Sequence, residues 1–264
     1  MGGRERLWRP PWPCPVAQIL SIHRRGPGDP TYRSDADGTI WRGTRTPQGL
    51  VTLALRSQDG EVRARAWGAG ADWILEQLPA LLGAEDDPSG FAPQHPVLVD
   101  ALRRHPHWRI GRTGLVLEAL VPAILEQRVT GKEAFAGFRR LVRRFGEPAP
   151  GPGPEHDLWV QPDASTLRGI PSWEWLRMHV DPARSRTLVG AARVAPSLER
   201  TVGLPADEVD RRLRSLPGIG VWTSAEVRFR AHGDADAVSF GDFHVAKDVG
   251  WALTGSPVDD AGLE

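Results

Sequence analysis

The sequence predicts an α+β fold, with a small N-terminal mixed β/α subdomain ahead of a mostly α-helical body. Three observations carry that expectation. Residues 39–67 contain short apolar stretches, one of them strictly alternating, with a tight-turn signal between two of them. From Pro96 onward, apolar residues recur at helical spacing. One run over Leu216–Gly220, Leu-Pro-Gly-Ile-Gly, joins two of the helical stretches.

The elements follow in chain order. Residues 1–35 are expected to form an N-terminal arm, in which Arg4, Arg6 and Arg9 precede Pro10, Pro11, Pro13 and Pro15 with no apolar run of a secretory signal. Residues 36–112 form the mixed β/α subdomain. Thr39–Gly43, Leu50–Arg56 and Glu61–Trp67 read as strands; in the last, Val62, Ala64 and Ala66 fall on one face and Arg63 and Arg65 on the other. Gln58–Gly60 is a hairpin turn. A helix begins near Ala71, Ala84–Gly90 is a loop, and Val97–Arg104 is a second helix.

Residues 113–264 form the helical body. Leu115, Leu117, Leu120, Val121, Ile124 and Leu125 cover most of the circumference of Gly114–Arg128, which marks a central buried helix. Lys132–Phe145 is amphipathic, with Phe135, Phe138, Leu141 and Val142 opposed to Arg139, Arg140, Arg143 and Arg144. Proline and glycine make Glu147–Glu155 a loop. Helices resume near Asp163–Leu167, Trp173–Met178, Ala183–Ala195 and Ala206–Ser215.

Composition narrows the function classes. The chain has 264 residues, 40% hydrophobic and 25% charged, which is a globular balance with ample core. Lys+Arg 33 equals Asp+Glu 33, so a phosphate-binding face must come from charge placement and not from net charge. Between Asp100 and Glu147 the arginines and Lys132 exceed the carboxylates, a local excess that suits phosphate contact or a solvated helix face. The single cysteine, Cys14, excludes an internal disulfide framework, a cysteine-ligated zinc site and an iron–sulfur cluster. No run of about 18 apolar residues occurs, so no membrane partner is expected and the cytoplasm is the default location.

The chemistry concentrates in the hairpin at residues 213–228 and just beyond it. Pro217 stops one helix, Gly218 and Gly220 permit an unusual turn, and the next helix opens at Val221 or Thr223. Such a turn exposes backbone N–H groups at a helix start, where a phosphate oxygen also gains the helix dipole. Gly218, Ile219, Gly220 and Thr223 are therefore candidate DNA-backbone contacts; an ordinary glycine-capped helical hairpin is the competing reading. Farther on, Val238–Phe240 reads as extended and Asp242 as either an N-cap or a carboxylate held at the mouth of a cleft.

With these residues in view, the sequence resembles the helix-hairpin-helix DNA glycosylases, whose hallmark is a hairpin followed by a Gly/Pro loop and an aspartate. Leu216–Gly220 matches the hairpin and Phe240–Asp242 the loop and aspartate. The match is closest to the alkylation-repair branch, DNA-3-methyladenine glycosylase II, and spans roughly residues 35 to 255. Ile124–Val129 looks like that branch's helix end bearing its strand-separating loop, and the β/α N-terminal third fits its extra domain. The resemblance implies a helix-hairpin-helix glycosylase body and hydrolysis of the N-glycosidic bond of alkylated purines, 3-methyladenine-type lesions, in base excision repair. Trp222 stands where lyase members carry a Schiff-base lysine, which implies a monofunctional hydrolase.

The same resemblance assigns roles. Asp242 is the expected catalytic carboxylate, stabilising an oxocarbenium-like sugar. Trp222 and, one turn later, Glu226 are base-pocket candidates; Trp222 suits stacking on a cationic base or the core, and Glu226 attraction of that base or a solvated face. Gln127 and Arg128, at the helix end, are candidates for the DNA-facing plug or for a solvated terminus. His244 reads as a helix-surface residue. The expected partner is double-stranded DNA with damaged bases, met by a nucleoid-associated monomer. No cofactor or metal is required, although hairpin carbonyls suit a monovalent cation. Family members usually carry at least one more pocket-closing helix after the position of Leu253, where this sequence runs into an acidic tail of Asp259, Asp260 and Glu264. The alternative is a non-catalytic helix-hairpin-helix DNA-binding protein.

Overall fold

The computed structural model describes residues 2–263. Its N-terminal part is a five-stranded antiparallel sheet: β1 (Arg4–Trp8), β2 (Tyr32–Ser34), β3 (Ile40–Thr46), β4 (Gly49–Gln58) and β5 (Glu61–Trp67), in the spatial order β1-β5-β4-β3-β2. Between β1 and β2 lies a short helix, α1 (Val16–Leu20). The strands read from the sequence are all present, each longer by a few residues at one or both ends, except Glu61–Trp67, whose bounds agree. Asp59 and Gly60 both take positive φ, 53° and 79°, in the two-residue loop whose twist matches a β-hairpin.

Residues 1–35 are not an arm. Arg4 pairs opposite Ala66 and Trp8 opposite Val62, which makes β1 an edge strand. Val16, Ile19, Leu20 and Tyr32 lie in the core under the sheet. β1 is recruited through its backbone hydrogen bonds, and its mostly exposed Arg-rich side chains carry no apolar period to betray it.

Two main hydrophobic cores result. The first joins Val51, Leu53, Leu55, Val62, Ala64 and Ala66 to α1, α2 (Ala71–Glu76) and α3 (Leu78–Leu81). The chain then makes an exposed helix, α4 (Pro96–Arg104), before entering the helical body. There the second core forms around α5 (Val116–Leu125), which buries Leu120, Val121, Ile124 and Leu125 completely. Its neighbours are α6 (Gly131–Phe145), opened by a Thr130/Glu133 capping box, and, after the small β6 (Glu147–Pro148) and β7 (Trp159–Val160) pair, α7 (Ala164–Gly169), α8 (Ser172–Arg177), α9 (Pro182–Arg193) and α10 (Ala195–Glu199). The hairpin helices α11 (Ala206–Arg214) and α12 (Val221–Val227) follow, then a π-turn over Arg228–His232, α13 (Val245–Thr254) and α14 (Asp260–Leu263). The acidic tail is thus partly helical, with Glu264 outside the described residues. Among the described residues, no helix is long and apolar enough to cross a membrane.

Polar contacts join the sheet to the body. Arg42 on β3 pairs with Glu118 on α5 at 2.7 Å, and Arg25 pairs with Glu126 at 2.9 Å. Burial pushes the Glu126 carboxyl above its ordinary range despite the Arg25 and Arg230 charges beside it. Such pairs orient surfaces more than they add net stability, because each charge first loses its water.

The arginine excess of residues 100–147 is largely spent on internal contacts. Arg103 and Arg104 pair with Asp100, Arg112 with Glu85, Arg143 with Asp157 and Arg144 with Glu174. These arginines fasten the surface of the fold and offer no continuous phosphate-facing stripe.

Candidate active site

The hairpin is anchored by burial. Ile219, at its tip, is only 6% exposed and sits in the helical core, and Thr223 is 2% exposed. Gly218 takes φ +88°, and a Cβ there would overlap Thr187 Oγ1 on α9, so a side chain is excluded on both counts. Ser224 Oγ donates to Asp210 Oδ1 at 2.7 Å, tying α12 to α11. α12 opens at Gly220 with no side-chain cap, and open space lies beyond that residue.

Gln127, just past the end of α5, turns inward. Its Nε2 donates to the Gly218 carbonyl at 2.9 Å and to Thr223 Oγ1 at 2.8 Å. The side chains of Gln127, Ile219 and Thr223, named from the sequence as DNA contacts, therefore brace the hairpin from within. Arg128 differs. It takes φ +53°, an uncommon conformation for a non-glycine residue, and is exposed with no hydrogen bond or ion pair among the described residues. The turn is held by Arg184, whose Nη1 donates to the Leu125 carbonyl at 2.7 Å and whose Nη2 donates to the His179 carbonyl at 3.3 Å.

Between these parts opens a cleft of about 540 Å³, within the range of small-molecule sites. Its walls come from Gln127 and Arg128, from Arg184 and Thr187 on α9, from Gly218 and Gly220 to Thr223 of the hairpin, and from Phe240 and Gly241. Asp242 follows Gly241 in the chain but is not itself among the cleft-lining residues; its side chain is tied to the cleft through Trp222. Trp222 Nε1 donates to Asp242 Oδ2 at 3.0 Å; the backbone N–H groups of His244 and Val245 donate to Oδ1 at 2.8 and 3.1 Å. One Asp242 oxygen accepts the backbone N–H groups of His244, the N-cap of α13, and of Val245, its first residue, while the other faces the indole of a cleft residue. Partial burial alone would raise the carboxyl, but the donors from His244, Trp222 and Val245 hold it below the ordinary range, so it stays charged.

Trp222 lines the cleft as expected of a pocket residue, with its N–H committed to the carboxylate. Glu226 does not line it. Its carboxylate pairs with Arg230 at 2.7 Å and accepts the Ser239 hydroxyl at 2.7 Å, so it is neither solvated nor aimed at a base. His244 is exposed, its ring edge-on to Phe243. Arg184 and Thr187 carried no sequence signal as site residues, since each acquires its place through a partner distant in the chain, while Ser239 and Phe240 read from the sequence only as part of the loop before Asp242. The tail also returns to this region: Asp260 Oδ2 accepts the Gly241 N–H at 2.9 Å.

No family model matches the chain. A probable bifunctional transcriptional activator/DNA repair enzyme AlkA from Mycobacterium tuberculosis is 30% identical over 224 residues, covering 78% of this chain and 42% of the relative. The chain thus spans less than half the length of the curated relative it matches. Among solved structures, a 3-methyladenine DNA-glycosylase from Archaeoglobus fulgidus superposes with a TM-score of 0.79 at 15% identity, over 96% of this chain and 88% of that one. An 8-oxoguanine glycosylase/lyase from Clostridium acetobutylicum gives 0.73 at 12% identity, over 99% and 90%. The sheet, the helical body, the Leu-Pro-Gly-Ile-Gly hairpin and the aspartate beyond it, taken with these likenesses, place the chain in the helix-hairpin-helix DNA glycosylase superfamily.

Proposed function

We propose that this chain is a monofunctional DNA glycosylase that hydrolyses the N-glycosidic bond of alkylated purines, of the 3-methyladenine type, in duplex DNA during base excision repair. The observation that carries the reading is the Asp242 carboxylate, kept charged by three donors, one of them the indole of cleft-lining Trp222, and next in the chain to the cleft wall at Phe240 and Gly241.

The duplex backbone meets the main-chain N–H groups after Gly220, because Ile219 is buried in the core and Thr223 is bonded to Gln127. Arg128, exposed on its left-handed turn at the cleft rim, stands at the gap left in the stack when the damaged base rotates out. The base enters beside Trp222, whose indole favours an electron-poor, cationic purine by about 0.5–2 kcal/mol. Alkylation at a ring nitrogen has already made that purine a good leaving group, so no strong general acid is demanded. As the bond lengthens, the purine departs as a neutral base, the sugar becomes oxocarbenium-like and Asp242 stabilises it electrostatically, then orients the water that adds to the anomeric carbon and accepts the proton that water gives up. Water and a carboxylate suffice, with no cofactor in any step, and a monomer carries the whole site.

The likeness to glycosylase/lyases makes strand cleavage the second reading. Trp222 occupies the hairpin place of the Schiff-base lysine, which favours hydrolysis alone. The test is incubation with methylated duplex DNA. The expected result is release of 3-methyladenine or 7-methylguanine, an intact abasic strand, and no adduct trapped by borohydride. DNA binding without release of any base would overturn the assignment in favour of a non-catalytic DNA-binding protein.

A further inference from the structure

Glu226 is half-buried, doubly bonded and absent from the cleft wall, yet it lies one turn after Trp222 on α12. We infer that Glu226 is a positioning residue for Asp242: with Trp222 it makes one face of α12 a two-point template on which the loop Ser239–Asp242 is set. The inference rests on Asp242 being the reactive carboxylate.

The contacts close a ring. Trp222 Nε1 donates to Asp242 Oδ2 at 3.0 Å. The Asp242 backbone N–H donates to the Ser239 carbonyl at 3.2 Å. Ser239 Oγ donates to Glu226 Oε1 at 2.7 Å, and the helix returns the path to Trp222. Residues i and i+4 of a helix share a face, so both anchors present the loop with a spacing set by a rigid element. The loop needs such anchors, because Gly241 sits at φ +83° and Phe240 and Gly241 form cleft wall and not core.

Glu226 is itself held. Arg230 Nη1 donates to Glu226 Oε2 at 2.7 Å, and Arg230 Nε donates to the Ile22 carbonyl at 3.1 Å. The template is therefore braced against the N-terminal segment that carries Arg25, whose partner Glu126 lies nearby in the same charged group. The π-turn over Arg228–His232 carries Arg230 in this place; such turns often mark sites where backbone regularity is given up for function.

The experiment compares Ser239→Ala, Ser239→Thr, Glu226→Gln and the double variant Ser239→Ala/Glu226→Gln with the wild type on methylated duplex DNA. Single-turnover base release, duplex Kd and amide hydrogen exchange of residues 240–244 in free protein are read in parallel. Ser239→Ala should slow release by about 10- to 100-fold, the scale of a small misplacement of a reacting group, at unchanged Kd, and should speed exchange at Asp242. Ser239→Thr, which restores a hydroxyl, should recover the rate, and the double variant should be no slower than the worse single variant. Equal rates for Ser239→Ala and wild type, or parallel additive losses in rate and Kd, would overturn the positioning role. A wild type that releases no base would instead refute the proposed activity, and the exchange data would then decide whether the Glu226–Ser239 contact orders the loop.

Discussion

The two walls of the cleft are built on opposite principles. The hairpin wall is held by volume: Ile219 fills a core site, Gly218 abuts Thr187, and Gln127 and Thr223 close the space behind them. The Phe240–Gly241 wall, which leads into Asp242, is held by direction: residues 238–245 contribute nothing to the hydrophobic cores and hang on hydrogen bonds to Trp222, Glu226 and their own backbone. On the proposed function, the hairpin as a backbone clamp needs a fixed surface, which packing supplies, and the Asp242 carboxylate, meeting one atom, needs an angle, which packing supplies poorly and hydrogen bonds supply well.

Substitutions sharpen this contrast. Asp242→Asn keeps the cap and the volume but removes the charge. Base release should fall by about 10³-fold, near 4 kcal/mol of transition-state stabilisation, while duplex binding holds and stability drops modestly with loss of the charged acceptor of the Trp222 N–H. Ile219→Ala should do the reverse, lowering stability by about 3 kcal/mol in denaturant titration and weakening duplex binding through a loosened turn. If Ile219→Ala instead spared stability and lost only rate, the walls would not differ as described.

Trp222→Phe keeps the ring and deletes its N–H donor to Asp242. Release should slow by about 30-fold, the equivalent of about 2 kcal/mol for a hydrogen bond to a charged group. The same variant should move the acid limb of the pH–rate profile upward. In the wild type the donors depress the Asp242 carboxyl, so activity persists as pH falls and fades only below the ordinary carboxylate range; fewer donors bring that loss to higher pH. Gln127→Ala should cost about 1 kcal/mol of stability, because one side-chain brace is lost from a turn that packing still holds.

A smaller effect comes from behind the π-turn. Burial, with the Arg112 and Arg228 charges, lowers the His232 ring from 6.5 to about 4. The folded protein keeps that ring neutral where the unfolded chain takes up a proton. Its contribution to stability is complete above pH 6.5 and declines progressively as pH falls toward about 4, and His232→Gln should flatten that part of a stability–pH curve. Asp242→Asn should leave the shape of this part of the curve unchanged, because the Asp242 carboxyl is charged throughout it.

Much of the molecule was written locally. The alternation of Val62, Ala64 and Ala66, the Asp59–Gly60 turn, the apolar girdle of α5 and the Pro217–Gly220 break each specify their own backbone through short-range sterics and burial, and each appears as read. The recognisable hairpin and the aspartate beyond it are of the same kind, a matter of glycines at particular positions. The N-terminal strand was not legible, because β1 is recruited by hydrogen bonds to a partner some 60 residues away and carries arginine where a strand usually carries apolar side chains. Nor was the start of α5, whose Val116 and Leu117 N–H groups are capped by Glu199 at 2.9 and 2.8 Å from another helix. The sequence alone determined which residue types the site contains. Only the tertiary structure decided where they point: Gln127 and Thr223 inward, Arg128 outward, Glu226 onto Ser239, and Trp222 onto Asp242. Backbone conformation is set by neighbours along the chain, whereas the direction of a polar side chain is set by whichever donor or acceptor the fold delivers within about 3 Å.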